Sequence, residues 1–282
     1  MSKNKMDEVK NMKGSKTSNI NNDNNNSNSS DFDLKNQSGI LQENGHKDKT
    51  KENSRVWEID FLRGIALLLM IYFHLIFDLK EIYNFNVDYT TGFNAFTGRA
   101  AGTLFVLLAG VSCTFSRNNL KRGLKILALA ILITLVTYFY NPDMIILFGV
   151  LHFLGISILL YSFLRKLDVI PLAILGTVIF ILGNPVKNIT LDYDYLFIFG
   201  LTSDKFVSAD YYPLIPWLGI FIYGIVIGKL LYKEKKSIFI FNVKFNVERN
   251  IISWLGKHTL PIYMIHQPLL ILLIGLFKKI VV

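Results

Sequence analysis

The stretch RVWEIDFLRGIALLLMIYFHLIFD, residues 55–78, decides the fold of this chain. From Gly64 to Phe77 its residues are apolar, aromatic or small, with His74 as the exception. That run of about 14 residues gives about 21 Å of helix, whereas the hydrocarbon core of a bilayer is about 30 Å thick. The stretch therefore predicts a membrane-spanning helix that carries ionisable groups to membrane depth.

The polar residues of this helix fall on one side of it. At about 100° per residue, with Arg63 taken as zero, His74 falls at about 20° and both Asp60 and Asp78 at about 60°. Ionisable groups inside a membrane are costly and usually face a bundle interior or a watery cavity. The stripe predicts an active site in which Asp60 pairs with Arg63 and Asp78 holds the tautomer of His74. The sequence leaves open that Asp60 and Arg63 only extend to the membrane surface, and that His74 is structural.

The composition is typical of a multi-pass helical membrane protein. The 282-residue chain is 51% hydrophobic and 18% charged, which is too apolar for an ordinary soluble domain. Its net charge of +9 does not indicate nucleic-acid binding, because the basic residues cluster in short loops between apolar runs. Cys113 is the only cysteine, so an intrachain disulfide is excluded. No metal site is predicted.

Apolar runs divide the chain into a tail and a bundle. Residues 1–54 are rich in Asn, Lys and Ser, which predicts a disordered tail that is not a signal peptide. Residues 55–282 predict an all-α domain of about seven transmembrane helices, with a basic segment up to Lys257 before the last one. After the opening helix, the predicted spans are 98–115, 124–140, 145–164, 169–182, 213–231 and 259–277.

Charged loops predict the orientation. One set carries basic residues, including Arg117, Lys121, Arg122, Arg165, Lys166, Lys229 and Lys233, and the opposite set carries Asp88, Asp143, Asp192, Asp194, Asp204 and Asp210. Positively charged loops stay on the cytoplasmic side. We therefore expect a plasma-membrane protein with a cytoplasmic N-terminus. Arg63 is then near the cytoplasm, and His74 is about 16 Å further out.

Polar groups in the other apolar runs complete the candidate site. The predicted substrate-binding residues are Arg99, His152, Asp210, Tyr211, His266 and Gln267. His266 and Gln267 lie mid-span in the last helix, where Pro261 and Pro268 disrupt backbone pairing and open a polar pocket. Arg99 stays open between binding a polar acceptor and anchoring at the membrane interface.

Two aromatic residues near Asp210, Tyr212 and Trp217, favour a structural role at the membrane interface. Tyr and Trp are common where a helix leaves the membrane, so Tyr212 and Trp217 are expected to be interface residues. Asp210 favours a functional role, because an aromatic belt gains nothing from a carboxylate.

Four stretches, the last of them in two parts, carry a resemblance to a known family. They are EIDFLRGIALLLMIYFH (58–74), LFVLLAGVS (104–112), LFGVLHFLG (147–155), and DYYPLIPWLG (210–219) followed by HTLPIYMIHQP (258–268). In this order they resemble the bacterial membrane proteins related to heparan-alpha-glucosaminide N-acetyltransferase. The spacing of Arg63 and His74 is also similar to the first-helix pattern of the membrane acyltransferase-3 family.

The resemblance implies an enzyme that moves an acetyl group from cytoplasmic acetyl-CoA to a sugar hydroxyl or amine at the outer face of the bilayer. It implies that His74 is the general base or a transient acyl carrier, and that Arg63 contacts the CoA end or the thioester oxygen. Their stripe neighbours, Asp78 and Asp60, are the expected catalytic and cofactor-binding partners. In the lysosomal heparan enzyme the position matching His74 is asparagine, and the catalytic histidine follows in the next loop. Loop 80–97 has no histidine here, so the role falls to His74.

A competing interpretation is a non-enzymatic, proton-coupled transporter that uses the buried stripe as a proton relay, or a seven-helix receptor, although the last helix has no central lysine for a retinal Schiff base. No inverted repeat is visible, which disfavours common transporter folds. The sequence leaves open the acceptor, the choice between O- and N-transfer, and whether the protein is a homo-oligomer.

Overall fold

A computed structural model describes residues 56–234, 237 and 251–281. The tail predicted at residues 1–54 lies outside the described residues, as does most of the basic segment before residue 251. The described part of the chain is helical and contains no β-sheet.

Nine α-helices and two short 3₁₀ helices are described, and the α-helices form six spans that are long and apolar enough to cross a membrane. In chain order the α-helices are α1 (Trp57–Glu81), α2 (Gly92–Phe115), α3 (Asn119–Tyr140), α4 (Val150–Leu164), α5 (Val169–Ile181), α6 (Gly183–Lys187), α7 (Leu214–Leu231), α8 (Ile251–Lys257) and α9 (Thr259–Val281). The six candidate spans are α1, α2, α3, α5 continued into α6, α7 and α9, by length and composition. The predicted all-α membrane bundle is confirmed.

Helix boundaries differ from the predicted spans where polar residues continue a helix beyond its apolar run. α2 begins at Gly92 instead of residue 98, and α3 begins at Asn119 instead of residue 124. The amide N–H of Lys121 donates to the side chain of Asn118 at 3.0 Å, which caps the start of α3. The basic first turns of α3 are therefore helical although their hydropathy is low.

The fourth predicted span is shorter than expected. α4 has 15 residues, about 22 Å of helix, and starts at Val150 instead of residue 145. The preceding residues pair with the segment before α7: the Ala209 N–H donates to the Ile145 carbonyl at 3.0 Å, and the Tyr212 N–H to the Phe148 carbonyl at 2.9 Å. Non-helical backbone is tolerated at membrane depth where it is buried in protein or lines a cavity. This pairing brings the start of α4 beside the entry to α7.

Close crossings at glycines fix how the helices pack. α2 packs on α1 and α7, α5 packs on α7, and α1 also contacts α8 and α9. A Cβ on Gly110 of α2 would lie 2.2 Å from the Phe221 carbonyl oxygen of α7. A Cβ on Gly256 of α8 would lie 1.7 Å from the Asp60 carbonyl oxygen of α1. Small residues allow membrane helices to approach this closely, and α8 supports the first turns of α1.

Candidate functional site

A cavity of about 460 Å³ lies beside the C-terminal half of α1. Its wall also includes residues of α2, the start of α4, the segment before α7, and α9. Four of the predicted site residues line it: His74, Arg99, Asp210 and Tyr211. Its volume is in the range of about 300–1,000 Å³ that is usual for small-ligand pockets. The structure thus brings together residues that are up to 137 positions apart in sequence, from His74 to Tyr211.

His74 is half-buried and presents part of its ring to the cavity. Behind it lies His266 of α9, with the two ring centroids 5.0 Å apart. The Nδ1 atom of His266 is 2.6 Å from the carbonyl oxygen of Tyr263. His266 itself is buried and does not line the cavity, so it contacts His74 and not a ligand there.

Asp78 is one turn beyond His74, but the structure does not join the two. Asp78 is fully buried, and its Oδ1 accepts a hydrogen bond of 2.6 Å from Nε2 of Gln267. A buried carboxylate is stabilised when a donor hydrogen-bonds to it. Here the donor is the side-chain amide of Gln267 in α9 and not the imidazole of His74. Asp78 and Gln267, expected at the catalytic and substrate-binding positions, therefore form a separate pair that does not line the cavity.

The other end of the stripe is a polar cluster at the start of α1. Nη1 of Arg63 lies 2.9 Å from Oδ1 of Asp60, which confirms the predicted pair, and Nη2 donates to Oγ of Ser112 in α2. Arg63 does not line the cavity and is about 16 Å from His74 along the helix. A packed layer that contains Leu67 and Met70 lies between them.

His152, which the sequence predicts to bind substrate, does not line this cavity. Its Nε2 is 3.1 Å from Oγ1 of Thr134, and its ring stacks on Phe148 at 5.8 Å. These contacts tie α4 to α3 and to the residues before α4. Arg99, in contrast, is exposed at the cavity, where its guanidinium is accessible to a ligand.

Asp210 holds the segment before α7 against the start of α4. Its Oδ2 accepts a hydrogen bond of 2.9 Å from the Val150 N–H, the first free amide of α4. Burial raises the pKa of Asp210 to about 6, against the smaller lowering effect of that hydrogen bond. Tyr211 beside it donates from its hydroxyl to the Phe197 carbonyl at 2.5 Å, and burial raises its pKa to about 12.

Most aromatic residues of the cavity wall were not predicted as site residues, among them Tyr212, Trp217 and Tyr263. Tyr212 and Trp217, expected to be interface residues, line the cavity with ring centroids 4.6 Å apart, and Tyr263 of α9 also lines it. The Tyr212 hydroxyl occupies the space that Gly102 leaves: a Cβ there would lie 2.2 Å from it. Gly102 is the sequence signal, because a glycine in a membrane helix leaves space into which a side chain from another segment can pack.

The raised pKa of Asp210 predicts a pH-dependent stability. The folded protein binds this proton more tightly than the unfolded chain does, so the stabilisation is complete below about pH 4 and is lost as the pH rises through about 6. Asp210→Asn retains an oxygen for the Val150 N–H but cannot titrate. We expect the unfolding midpoint of the wild type, relative to Asp210→Asn, to rise between pH 7 and pH 4.5 in detergent. Parallel profiles of the two proteins would contradict the assignment.

Comparison with known proteins gives one match. Residues 55–268 of the 282-residue chain match the family model described as heparan-alpha-glucosaminide N-acetyltransferase, catalytic. No curated protein and no solved structure matches the chain. The matched range begins just before α1 and ends in α9, so it contains every residue that lines the cavity.

Proposed function

The chain belongs to the heparan-alpha-glucosaminide N-acetyltransferase catalytic family, a family of membrane acetyltransferases, and from this membership we propose that it moves an acetyl group from cytoplasmic acetyl-CoA to a sugar at the outer face of the plasma membrane. The observation that supports this most is the cavity in which His74 and Asp210 both meet aromatic walls. Membrane acetyl transfer follows from the family. The donor, the acceptor class and the orientation in the membrane are what we propose in addition.

The lining of the cavity supports a sugar acceptor. Aromatic rings, including those of Phe77, Tyr89, Tyr212 and Trp217, form much of its wall. A sugar ring offers apolar C–H faces to such rings and hydroxyls to a few polar groups. Asp210 has one carboxylate oxygen engaged by Val150, so the other can accept a hydrogen bond from a hydroxyl or amine.

His74 is the proposed general base. The acceptor oxygen or nitrogen attacks the thioester carbonyl carbon while its proton passes to the imidazole of His74. The C–S bond then breaks, the acetyl group stays on the acceptor, and the proton leaves with the thiolate as CoA thiol. We prefer this direct transfer to an acyl-histidine, because His74 shares the cavity with the group proposed to orient the acceptor, Asp210.

The donor must approach from the other end of α1. Arg63, with Asp60, is proposed to contact the CoA end and not the thioester, since about 16 Å of helix separates it from His74. Leu67 is fully buried in the packed layer between them, and Met70 of the same layer lines the cavity. The acetyl group therefore reaches His74 only when this layer opens, which makes conformational change a step of the proposed cycle.

The proposed function is tested with purified protein in nanodiscs. Acetyl-CoA is supplied together with glucosamine or N-acetylglucosamine, and free CoA thiol is measured alongside acetylated sugar. We expect thiol release that depends on the sugar and equals the acetyl group transferred. Uptake of sugar into proteoliposomes without acetyl-CoA, and no thiol release with it, would overturn the proposal.

A second candidate, a proton-coupled carrier, is favoured by one observation. Asp78 and Gln267 are buried together between α1 and α9, and Oδ2 of Asp78 and Oε1 of Gln267 have no hydrogen-bond partner among the described residues. Such groups are typical of proton-binding sites in membrane helices. The transport arm of the experiment above separates this function from acetyl transfer.

The donor side gives a prediction for Arg63. Its side chain is 28% exposed although it is bonded to Asp60, so we expect Arg63→Ala to raise the KM for acetyl-CoA by about tenfold, equivalent to about 1.4 kcal/mol of binding. The acceptor KM should stay within about twofold. The matched control is the Asp60→Asn/Arg63→Ala double variant, which leaves no buried carboxylate unpaired. Equal changes in both KM values would assign Arg63 a structural role only.

A further inference from the structure

The hydrogen bond between His266 and the Tyr263 carbonyl determines the tautomer of His266. A carbonyl oxygen only accepts, so the Nδ1 atom that lies 2.6 Å from it must carry the hydrogen. In the neutral ring the other nitrogen, Nε2, is then an acceptor with a free lone pair. That Nε2 atom is buried and has no hydrogen-bond partner among the described residues. His266 therefore presents a buried acceptor that requires a donor.

His74 has a ring nitrogen that can supply this donor. Its Nδ1 atom is also buried and without a hydrogen-bond partner in the described part of the chain. The rings of His74 and His266 are in contact, with centroids 5.0 Å apart. The other rings against His74 are those of Phe73 and Phe77, at 5.9 and 6.4 Å, and these offer neither a donor nor an acceptor for an imidazole nitrogen. Oδ1 of Asp78 is engaged by Gln267, and Oδ2 of Asp78, although it has no partner among the described residues, makes no hydrogen bond to His74.

We propose that His266 is the positioning residue of His74 and fixes it as the Nδ1–H tautomer. A rotation of the two touching rings brings the Nδ1–H of His74 onto Nε2 of His266. The lone pair of the His74 Nε2 is then the one available to the cavity, where it takes the proton of the acceptor. His266 thus orients the catalytic imidazole, as a carboxylate does in a His-based catalytic pair. The kinetic consequence of this pairing rests on the proposed function, whereas the tautomer of His74 does not depend on it.

The tautomer is measured directly by ¹⁵N NMR of the histidine-labelled protein in nanodiscs. The chain has five histidines, and the His74 signals are identified as those missing from His74→Ala. We expect a protonated Nδ1 and a bare Nε2 for His74 in the wild type at pH 8. A protonated Nε2 would overturn the proposal, whether or not the protein transfers acetyl groups.

Two substitutions of His266 separate positioning from structure. In His266→Gln the amide oxygen replaces Nε2 as acceptor, whereas in His266→Asn the amide nitrogen replaces Nδ1 and keeps only the bond to Tyr263. We expect His266→Gln to retain kcat within about threefold and His266→Asn to lose about tenfold or more, the smaller end of a general-base contribution. The acceptor KM should not change in either. A merely structural histidine would give the opposite order and overturn the proposal.

Failure of the inference and failure of the proposed function give different results. If His74→Ala turns over normally, acetyl transfer by His74 is wrong, but the NMR tautomer still decides the role of His266. If His266→Asn does not fold, as judged by its unfolding midpoint, the wild-type NMR spectrum remains decisive.

Discussion

His74→Ala is expected to lower sugar-dependent release of CoA by about 10²–10⁴-fold, the usual contribution of a positioned general base. The expectation rests on placement, since His74 is the only histidine that lines the cavity among the described residues. Removing it leaves the acceptor proton without a base, while the aromatic walls and Asp210 remain. The KM for the acceptor should therefore change little. Initial rates of thiol release and of acetylated sugar, measured at saturating acetyl-CoA, give both parameters.

The matched control for this variant is His258→Ala. His258 is exposed, lies between α8 and α9, and bonds through Nδ1 to the Trp254 carbonyl at 2.9 Å, away from the cavity. We expect it to retain wild-type turnover. Normal turnover of His74→Ala would contradict the proposed function outright. Initial-rate patterns further separate direct transfer, which needs both substrates bound together, from an acyl-histidine, which gives ping-pong kinetics.

Most of the fold could be predicted because long apolar runs determine membrane helices. The exceptions are local. The residues before Val150 are apolar, but they pair with the segment that contains Ala209 and Tyr212, a contact between distant parts of the chain that hydropathy does not encode. α8 has seven residues and follows a basic segment, so neither its length nor its periodicity indicated a helix.

The candidate site could be predicted only as far as one helix determines it. The pairing of Asp60 with Arg63 follows from their spacing of three residues on α1. The partners of His74 and Asp78 depend on the rotation of α9, which no pattern in α1 reports. Aromatic residues near the end of a span are usually interface residues, so Trp217 gave no signal of its place in the cavity wall.

Asp210→Asn is expected to lower kcat/KM for the sugar by about 10–150-fold, because it removes a hydrogen bond to a charged acceptor worth about 1.5–3 kcal/mol. The asparagine oxygen still accepts from the Val150 N–H, so the segment before α7 keeps its place beside α4. What changes is the atom offered to the ligand, since an amide N–H₂ replaces the second carboxylate oxygen. The KM for acetyl-CoA should stay within about twofold, because that substrate is proposed to bind at the Arg63 end of α1.

Asp210→Ala distinguishes recognition from architecture. It removes the ligand-facing oxygen and also the cap on Val150. We therefore expect it to lose as much activity as Asp210→Asn does and, in addition, to have a lower unfolding midpoint. If both variants lost activity only in proportion to stability, Asp210 would be a structural cap and not an acceptor-binding residue. If Asp210→Asn kept wild-type kinetics, the sugar would have to be oriented by Arg99 alone. The carboxylate is the stronger determinant in physical terms, because it lines the cavity while anchored by Val150, whereas Arg99 is exposed. An anchored group loses less conformational entropy when it binds a ligand.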